Sequence, residues 1–219
     1  MSNEDQKAHP PFNIDEERPS DWFEPLYSNA DQQGNGVPWA NMATHPSFAR
    51  WLKGQSVSGG GRTALVVGCG MGDDAITLED LGFAVTAFDV SATAIEYCKT
   101  RFPESNVNFL QADLLEDQPD WRGAFDFVLE IFTVQALPPK YEAQLIKSIS
   151  DFVAPGGTLL VVAEVSDAPR DFAKGPPWVL TPDHVEAFVA CGLELVDTTT
   201  ETRSAHVGKA TYVSEFRRR

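Results

Sequence analysis

Ten residues constrain this chain more than any others: Leu65-Val66-Val67-Gly68-Cys69-Gly70-Met71-Gly72-Asp73-Asp74. An apolar run long enough for one strand ends in three alternating glycines and passes into a segment opening with acids, the pattern of a strand that turns sharply into a helix. Glycines at 68, 70 and 72 remove Cβ from one side of the turn, so a ligand can lie against bare backbone and face the helix N-terminus. A dinucleotide fingerprint wants glycine where Asp73 stands. Asp73 and Asp74 together would repel a pyrophosphate, and they would suit a ligand carrying an ammonium and a sulfonium.

Around that turn the chain alternates strand and helix. Thr63 to Val67 is a short β-branched run, Asp73 to Leu81 a helix, Ala84 to Phe88 a strand, and Ser91 to Phe102 a helix with N-cap oxygens on Ser91 and Thr93. Val107 to Leu110 and Phe125 to Phe132 read as strands, Lys140 to Phe152 as a helix with Leu145, Ile149 and Phe152 on one face, and Pro155-Gly156-Gly157 as a turn. Thr158 to Val165 is an apolar strand of the kind buried on both faces. A helix over Pro182 to Cys191 then precedes strands at Leu193 to Thr200 and Ala210 to Phe216, which suit an antiparallel pair. This order predicts an α/β fold, a doubly wound and mostly parallel seven-stranded sheet with an antiparallel last strand.

At 219 residues and 42% hydrophobic, the chain can bury one full core. The expected organisation is a flexible N-terminal tail over 1–20 and a single domain over 21–219. Within that domain, 21–60 form a cover dense in aromatics, 61–165 a ligand-binding core, and 166–219 a substrate loop and closing strands. A helix from Ser47 to Lys53 belongs to the cover, with Phe48, Trp51 and Leu52 on one face. The 17 basic residues against 32 acidic ones leave a net charge of −15, which argues against nucleic acid and against an anionic membrane surface. Met1 to Pro11 lacks the apolar run of a signal peptide, and no stretch approaches the roughly 18 apolar residues of a membrane span, so a cytoplasmic setting is expected. Cys69, Cys98 and Cys191 are odd in number and dispersed, which excludes a disulfide scaffold and a metal site of the CxxC kind.

Two more acids stand at strand ends. Asp89 closes the second strand 21 residues after Gly68, where an acid in such folds takes ribose hydroxyls, and Asp113 closes the third, near where an adenine amino group would be a donor. Either could be a helix cap or a turn residue alone; together, after a glycine loop, they favour an adenosyl ligand.

From Ala64 to Val165 the chain resembles the class I S-adenosylmethionine-dependent methyltransferases, on the landmarks VVGCGMGDD, TAFDVS, LQADLL, FDFVLE and APGGTLLVV, and so implies a Rossmann-like sheet. Within them it is similar to the thiopurine, thiocyanate and halide methyltransferase group, which keeps an acid where Asp74 stands and a Pro-Trp segment like Pro38-Trp39. The resemblance implies S-adenosylmethionine as cofactor and S-adenosylhomocysteine as product. It implies Trp22, Tyr27 and Trp39 packed near the methionine or adenine part, and Gly68, Gly70 and Gly72 beneath the cofactor. Asp89 would hold the ribose and Asp113 with Leu114 the adenine, while Glu130 and Ile131 contact the cofactor after the fourth strand. Pro177, in Gly175-Pro176-Pro177, would line the acceptor pocket, and Trp178 beside it would either cap that pocket or plug a loop. The group carries Arg or Tyr in many members where Ile131 stands here.

Methyl transfer is an in-line displacement at a carbon activated by positive sulfur, so the protein must hold a nucleophile behind that carbon and exclude water. A soft anion needs no base, whereas a thiol, phenol or amine does, and Glu130, Glu164, His45, His184 and His206 are the candidates, none singled out by spacing. The reading is a methyltransferase acting on a small molecule, with a sulfur acceptor first, as the resemblance alone implies, and oxygen or nitrogen acceptors open. The protein would be a monomer or weak homodimer. A nicotinamide-dependent oxidoreductase and a non-catalytic cofactor binder are the alternatives.

Overall fold

The computed structural model describes residues 14, 15, 17–168, 175–202 and 208–219. Most of the expected tail, and residues 169–174 of the expected substrate loop, lie outside them.

A single seven-stranded sheet organises the described chain. Its strands are β1 (Thr63–Val67), β2 (Ala84–Asp89), β3 (Asn108–Gln111), β4 (Phe125–Ile131), β5 (Val153–Val165), β6 (Leu193–Glu201) and β7 (Ala210–Arg218), in spatial order β3-β2-β1-β4-β5-β7-β6. Neighbours from β3 through β5 are parallel, and β7 runs antiparallel to both β5 and β6. The doubly wound sheet with an antiparallel last strand is therefore borne out. After β1 the chain winds outward to β2 and β3, then returns to β4 on the other side of β1, which opens a crevice at the carboxyl ends of β1 and β4.

Among the described residues six α-helices pack around the sheet: α1 (Phe23–Ser28), α2 (Pro46–Gly54), α3 (Asp73–Asp80), α4 (Ala92–Arg101), α5 (Glu142–Phe152) and α6 (His184–Ala190). Alternation along β1 divides the core into two layers. Ala64 and Val66 meet Phe48, Leu78 and Ile95 from α2, α3 and α4, while Leu65 and Val67 share a cluster with Leu145, Ile149 and Phe188 from α5 and α6.

Two elements depart from the sequence reading. The expected turn at Pro155-Gly156-Gly157 lies inside β5: Phe125 pairs with Val153 and Phe127 with Thr158, so the extra residues bulge out while both flanks stay bonded to β4. Helix α1 was not expected at all. It is six residues long and its N-cap Trp22 makes no side-chain cap bond, so it carries no local start signal.

Candidate functional site

The glycine loop forms the floor of the crevice. Gly68, Gly70 and Gly72 take φ of +60°, +52° and +87°, the left-handed region that side chains rarely adopt. Space is short as well: a Cβ at Gly68 would stand 2.7 Å from Thr133 Oγ1, and one at Gly72 would stand 2.9 Å from Cys98 Sγ. Gly72 is the N-cap of α3, so the loop delivers the chain directly into that helix.

The acids around the loop divide by partner. Asp73 is taken up by Arg101 of α4 in a bidentate pair, both contacts 2.9 Å, and Asp74 accepts the His45 backbone N–H at 2.7 Å. The charge expected from that pair is thus partly neutralised by Arg101, and Asp74, expected on the cofactor, ties α2 to α3. Asp89 is buried and accepts N–H bonds from Gly70 at 2.9 Å and Ser91 at 3.0 Å. Asp113 accepts the Leu115 N–H at 2.8 Å, with Leu114 buried beside it. Glu130, at the end of β4, is buried: its Oε1 accepts from the N–H groups of Thr133 (2.6 Å) and Val134 (3.1 Å), and Oε2 has no partner among the described residues. Burial, opposed by the backbone donors, raises the carboxyls of Asp74 and Asp89 to about 6 and that of Glu130 to about 7.

Aromatic residues cover this floor. Trp39 Nε1 donates to Tyr27 Oη at 3.0 Å, and that hydroxyl lies 3.1 Å from where a Cβ on Gly70 would be. Trp22 meets Trp39 edge-on with ring centroids 5.8 Å apart. Burial pushes the Tyr27 hydroxyl up, so it stays protonated. The cover is fastened by two residues that sequence reasoning missed. Glu24 accepts from the hydroxyls of Ser91 and Thr93, each at 2.6 Å, and Tyr97 Oη donates to the carbonyls of Tyr27 (3.2 Å) and Ala30 (3.1 Å). Only the N-cap hydroxyls of Ser91 and Thr93 signalled that anchor.

Beyond β4 the chain turns through Phe132, at φ +60°, and Thr133, whose hydroxyl donates to the Val67 carbonyl at 3.1 Å. The Gln135 side-chain carbonyl accepts the Glu164 N–H at 2.8 Å and its backbone carbonyl accepts the Trp178 N–H at 2.7 Å, which joins the ends of β4 and β5 to the segment after the substrate loop. Trp178 is buried, with the Gly175 backbone against its indole, so it packs as a plug; Pro177 beside it is half-buried.

Among the candidate bases, His45 Nδ1 accepts the Ser47 N–H at 3.3 Å, which puts the neutral ring's proton on Nε2. His184 is buried with Nδ1 2.6 Å from the Thr181 carbonyl, and burial lowers its pKa. Glu164 Oε2 accepts the Gly208 N–H at 3.0 Å. His206 lies outside the described residues.

This donor set fits an adenosyl sulfonium. The floor is bare backbone; Asp89 retains acceptor capacity, since a carboxylate offers about four lone-pair sites; and Glu130 keeps an unpartnered acceptor oxygen. No group of residues able to hold a metal ion occurs among the described residues, and none of their helices is long and apolar enough to cross a membrane.

Comparison with known proteins follows the same line. Residues 64–157 match the family described as Methyltransferase domain. An uncharacterized methyltransferase of Mycobacterium bovis is 31% identical over 134 residues, which cover 61% of this chain and 62% of that protein, so the chain matches less than two thirds of that relative's length. The probable thiol methyltransferase 2 of Arabidopsis thaliana is 25% identical over 168 residues, covering 75% of this chain and 72% of that protein. A solved structure from work on the conversion of a disulfide bond into a thioacetal group during echinomycin biosynthesis superposes with a TM-score of 0.71, over 91% of this chain and 92% of that one, at 23% identity. That last likeness is one of fold. The resemblance read from the sequence landmarks is borne out by the domain match.

Proposed function

We propose that this chain, resembling the class I S-adenosylmethionine-dependent methyltransferases and carrying a methyltransferase domain over 64–157, transfers a methyl group to a small-molecule acceptor, with a thiol or other sulfur nucleophile favoured. The observation that carries the reading is the three-glycine floor bordered by the buried carboxylates of Asp89 and Glu130. Such a floor suits a cationic adenosyl ligand and opposes a pyrophosphate. The sulfur preference is supported by the likeness to the Arabidopsis protein named as a probable thiol methyltransferase.

In this reading Gly68, Gly70 and Gly72 underlie the methionine part, Asp89 takes the ribose hydroxyls, and Asp113 and Leu114 border the adenine. Trp22, Tyr27 and Trp39 exclude water from above, and ring faces attract a cation without deprotonating anything. Ile131 and Glu130 line the methionine end, where the charge of Glu130 opposes the ammonium group. Asp74 acts one step back, by holding the cover helix α2 to α3. Pro177 and Trp178 close the acceptor side. When bound, S-adenosylmethionine supplies a methyl group on positively charged sulfur. The chain then orients the nucleophile, taken up as the thiolate, and keeps water out.

The reading is tested by incubating the protein with S-adenosylmethionine and a panel of thiols, phenols and amines and following the methylated products by mass spectrometry. Methylated thiol is expected. Methylated phenol or amine alone would move the acceptor assignment, and no product together with no calorimetric binding of S-adenosylmethionine would end the proposal.

A further inference from the structure

The cover closes over only part of the glycine loop. Gly70 is buried beneath it and Gly72 against Cys98, Phe102 and Phe109, whereas Gly68 is exposed, and Ile131, Phe132 and Thr133, which leave β4 beside it, are half-exposed. Thr133 Oγ1, 2.7 Å from where a Cβ on Gly68 would stand, makes that segment the adjoining edge of the open floor.

Phe132 is the unusual residue there. A bulky side chain rarely adopts φ +60°, and such conformations gather at functional sites, where the surroundings impose them. The imposition is visible on both sides. The Phe132 N–H donates to the Val162 carbonyl at 3.0 Å, the Glu130 carboxylate holds the N–H of Thr133, and the Thr133 hydroxyl is tied to Val67. The Phe132 ring meets His45 edge to face, with centroids 5.1 Å apart and planes at 89°, and His45 is fixed in turn by its N–H bond to Asp74. Glycine or asparagine would take this backbone with less strain, yet the chain keeps a partly exposed phenyl ring. Trp39, 39% exposed, presents a second ring above Gly70, its indole nitrogen 3.9 Å from the Cβ position there.

We infer that Phe132, braced by His45, is the specificity wall of the acceptor pocket, and that the acceptor is an aromatic molecule whose ring packs on Phe132 while its nucleophilic atom points along the loop at Gly68. This rests on the methyltransferase reading and narrows it. A small anion such as a halide would leave the exposed part of the Phe132 ring facing water, whereas a flat aromatic acceptor covers it. Phe132 touches the acceptor and not the cofactor, so it is a specificity residue.

The test uses the full chain loaded with S-adenosylhomocysteine, with phenol as an unreactive ring probe titrated by calorimetry and by NMR saturation transfer. Phenol is expected to bind the wild type, and Phe132→Gly, which relieves the backbone strain, to weaken it by about tenfold, the scale of a lost ring-to-ring contact. Phe132→Asn, which also tolerates the left-handed backbone, guards against a folding defect and is expected to behave alike. Phe132→Tyr should retain phenol binding. S-adenosylhomocysteine affinity should stay within about twofold in all three variants. Binding of S-adenosylhomocysteine with phenol indifferent to Phe132→Gly overturns this inference alone. Failure of the wild type to bind S-adenosylhomocysteine overturns the methyltransferase reading and this inference with it.

Discussion

Glu130 provides a quantitative test of the buried acid at the crevice. Its carboxyl is raised from the ordinary 4.5 to about 7, mainly because burial disfavours the charge. The native state therefore binds this proton more tightly than the unfolded chain does. The resulting stability is fully present below about pH 4.5 and is lost as pH rises through about 7. Between pH 8 and pH 5.5 the two titrations differ by about 2 kcal/mol in favour of the native state at the lower pH. For a domain of this size that corresponds to about 4–8 °C in Tm. Glu130→Gln keeps an acceptor oxygen for the Thr133 and Val134 N–H groups and removes the titration. Thermal unfolding of the ligand-free protein and the variant, followed by tryptophan fluorescence at steps from pH 5.5 to 8, isolates the difference. Asp74 and Asp89, both raised to about 6, act in the same direction, and His184, lowered by burial, acts in the opposite one. All three are common to both proteins and cancel. Parallel Tm profiles for wild type and Glu130→Gln would refute the reasoning.

Other changes have defined outcomes. Asp89→Ala should weaken S-adenosylmethionine binding by about 1–3 kcal/mol, the scale of a buried charged hydrogen bond; an unchanged calorimetric affinity removes Asp89 from the site. Gly68→Ala forces a Cβ into the left-handed region against Thr133 Oγ1 and should lower stability by about 1–2 kcal/mol. Adding Thr133→Ala should recover part of that loss, and strictly additive denaturation energies would contradict the proposed contact. Glu24→Ala unfastens the cover from Ser91 and Thr93, so limited proteolysis should cut within residues 17–45 faster than in the wild type, with stability lower by about 1–2 kcal/mol. Equal cleavage rates would show that α1 is held by something else.

The core of the fold could be read from the chain because its signals are local. β1 and β2 are β-branched runs stopped by glycine or acid, and they occur at the residues expected, give or take one. The loop glycines announced their left-handed backbone, since few other residues take it. What escaped depends on residues distant in sequence. Arg101 neutralises Asp73 from 28 residues away, and His45 reaches Asp74 across 29, so the two adjacent acids looked alike in sequence and differ in the fold. The same holds for Glu24, whose partners lie 67 and 69 residues on. Phe132 could not be marked either, because nothing in Glu130-Ile131-Phe132-Thr133 signals a positive φ until β4 and β5 pair.

The account stands on the bare loop as the seat of an adenosyl sulfonium, and a crystal structure of the protein grown with S-adenosylhomocysteine addresses this most directly. Density for the ligand along Gly68 to Gly72, with ribose hydroxyls on the Asp89 carboxylate and the adenine amino group beside Asp113, is the predicted result. A crevice that refuses the ligand, or that seats a pyrophosphate compound on those glycines, would contradict it.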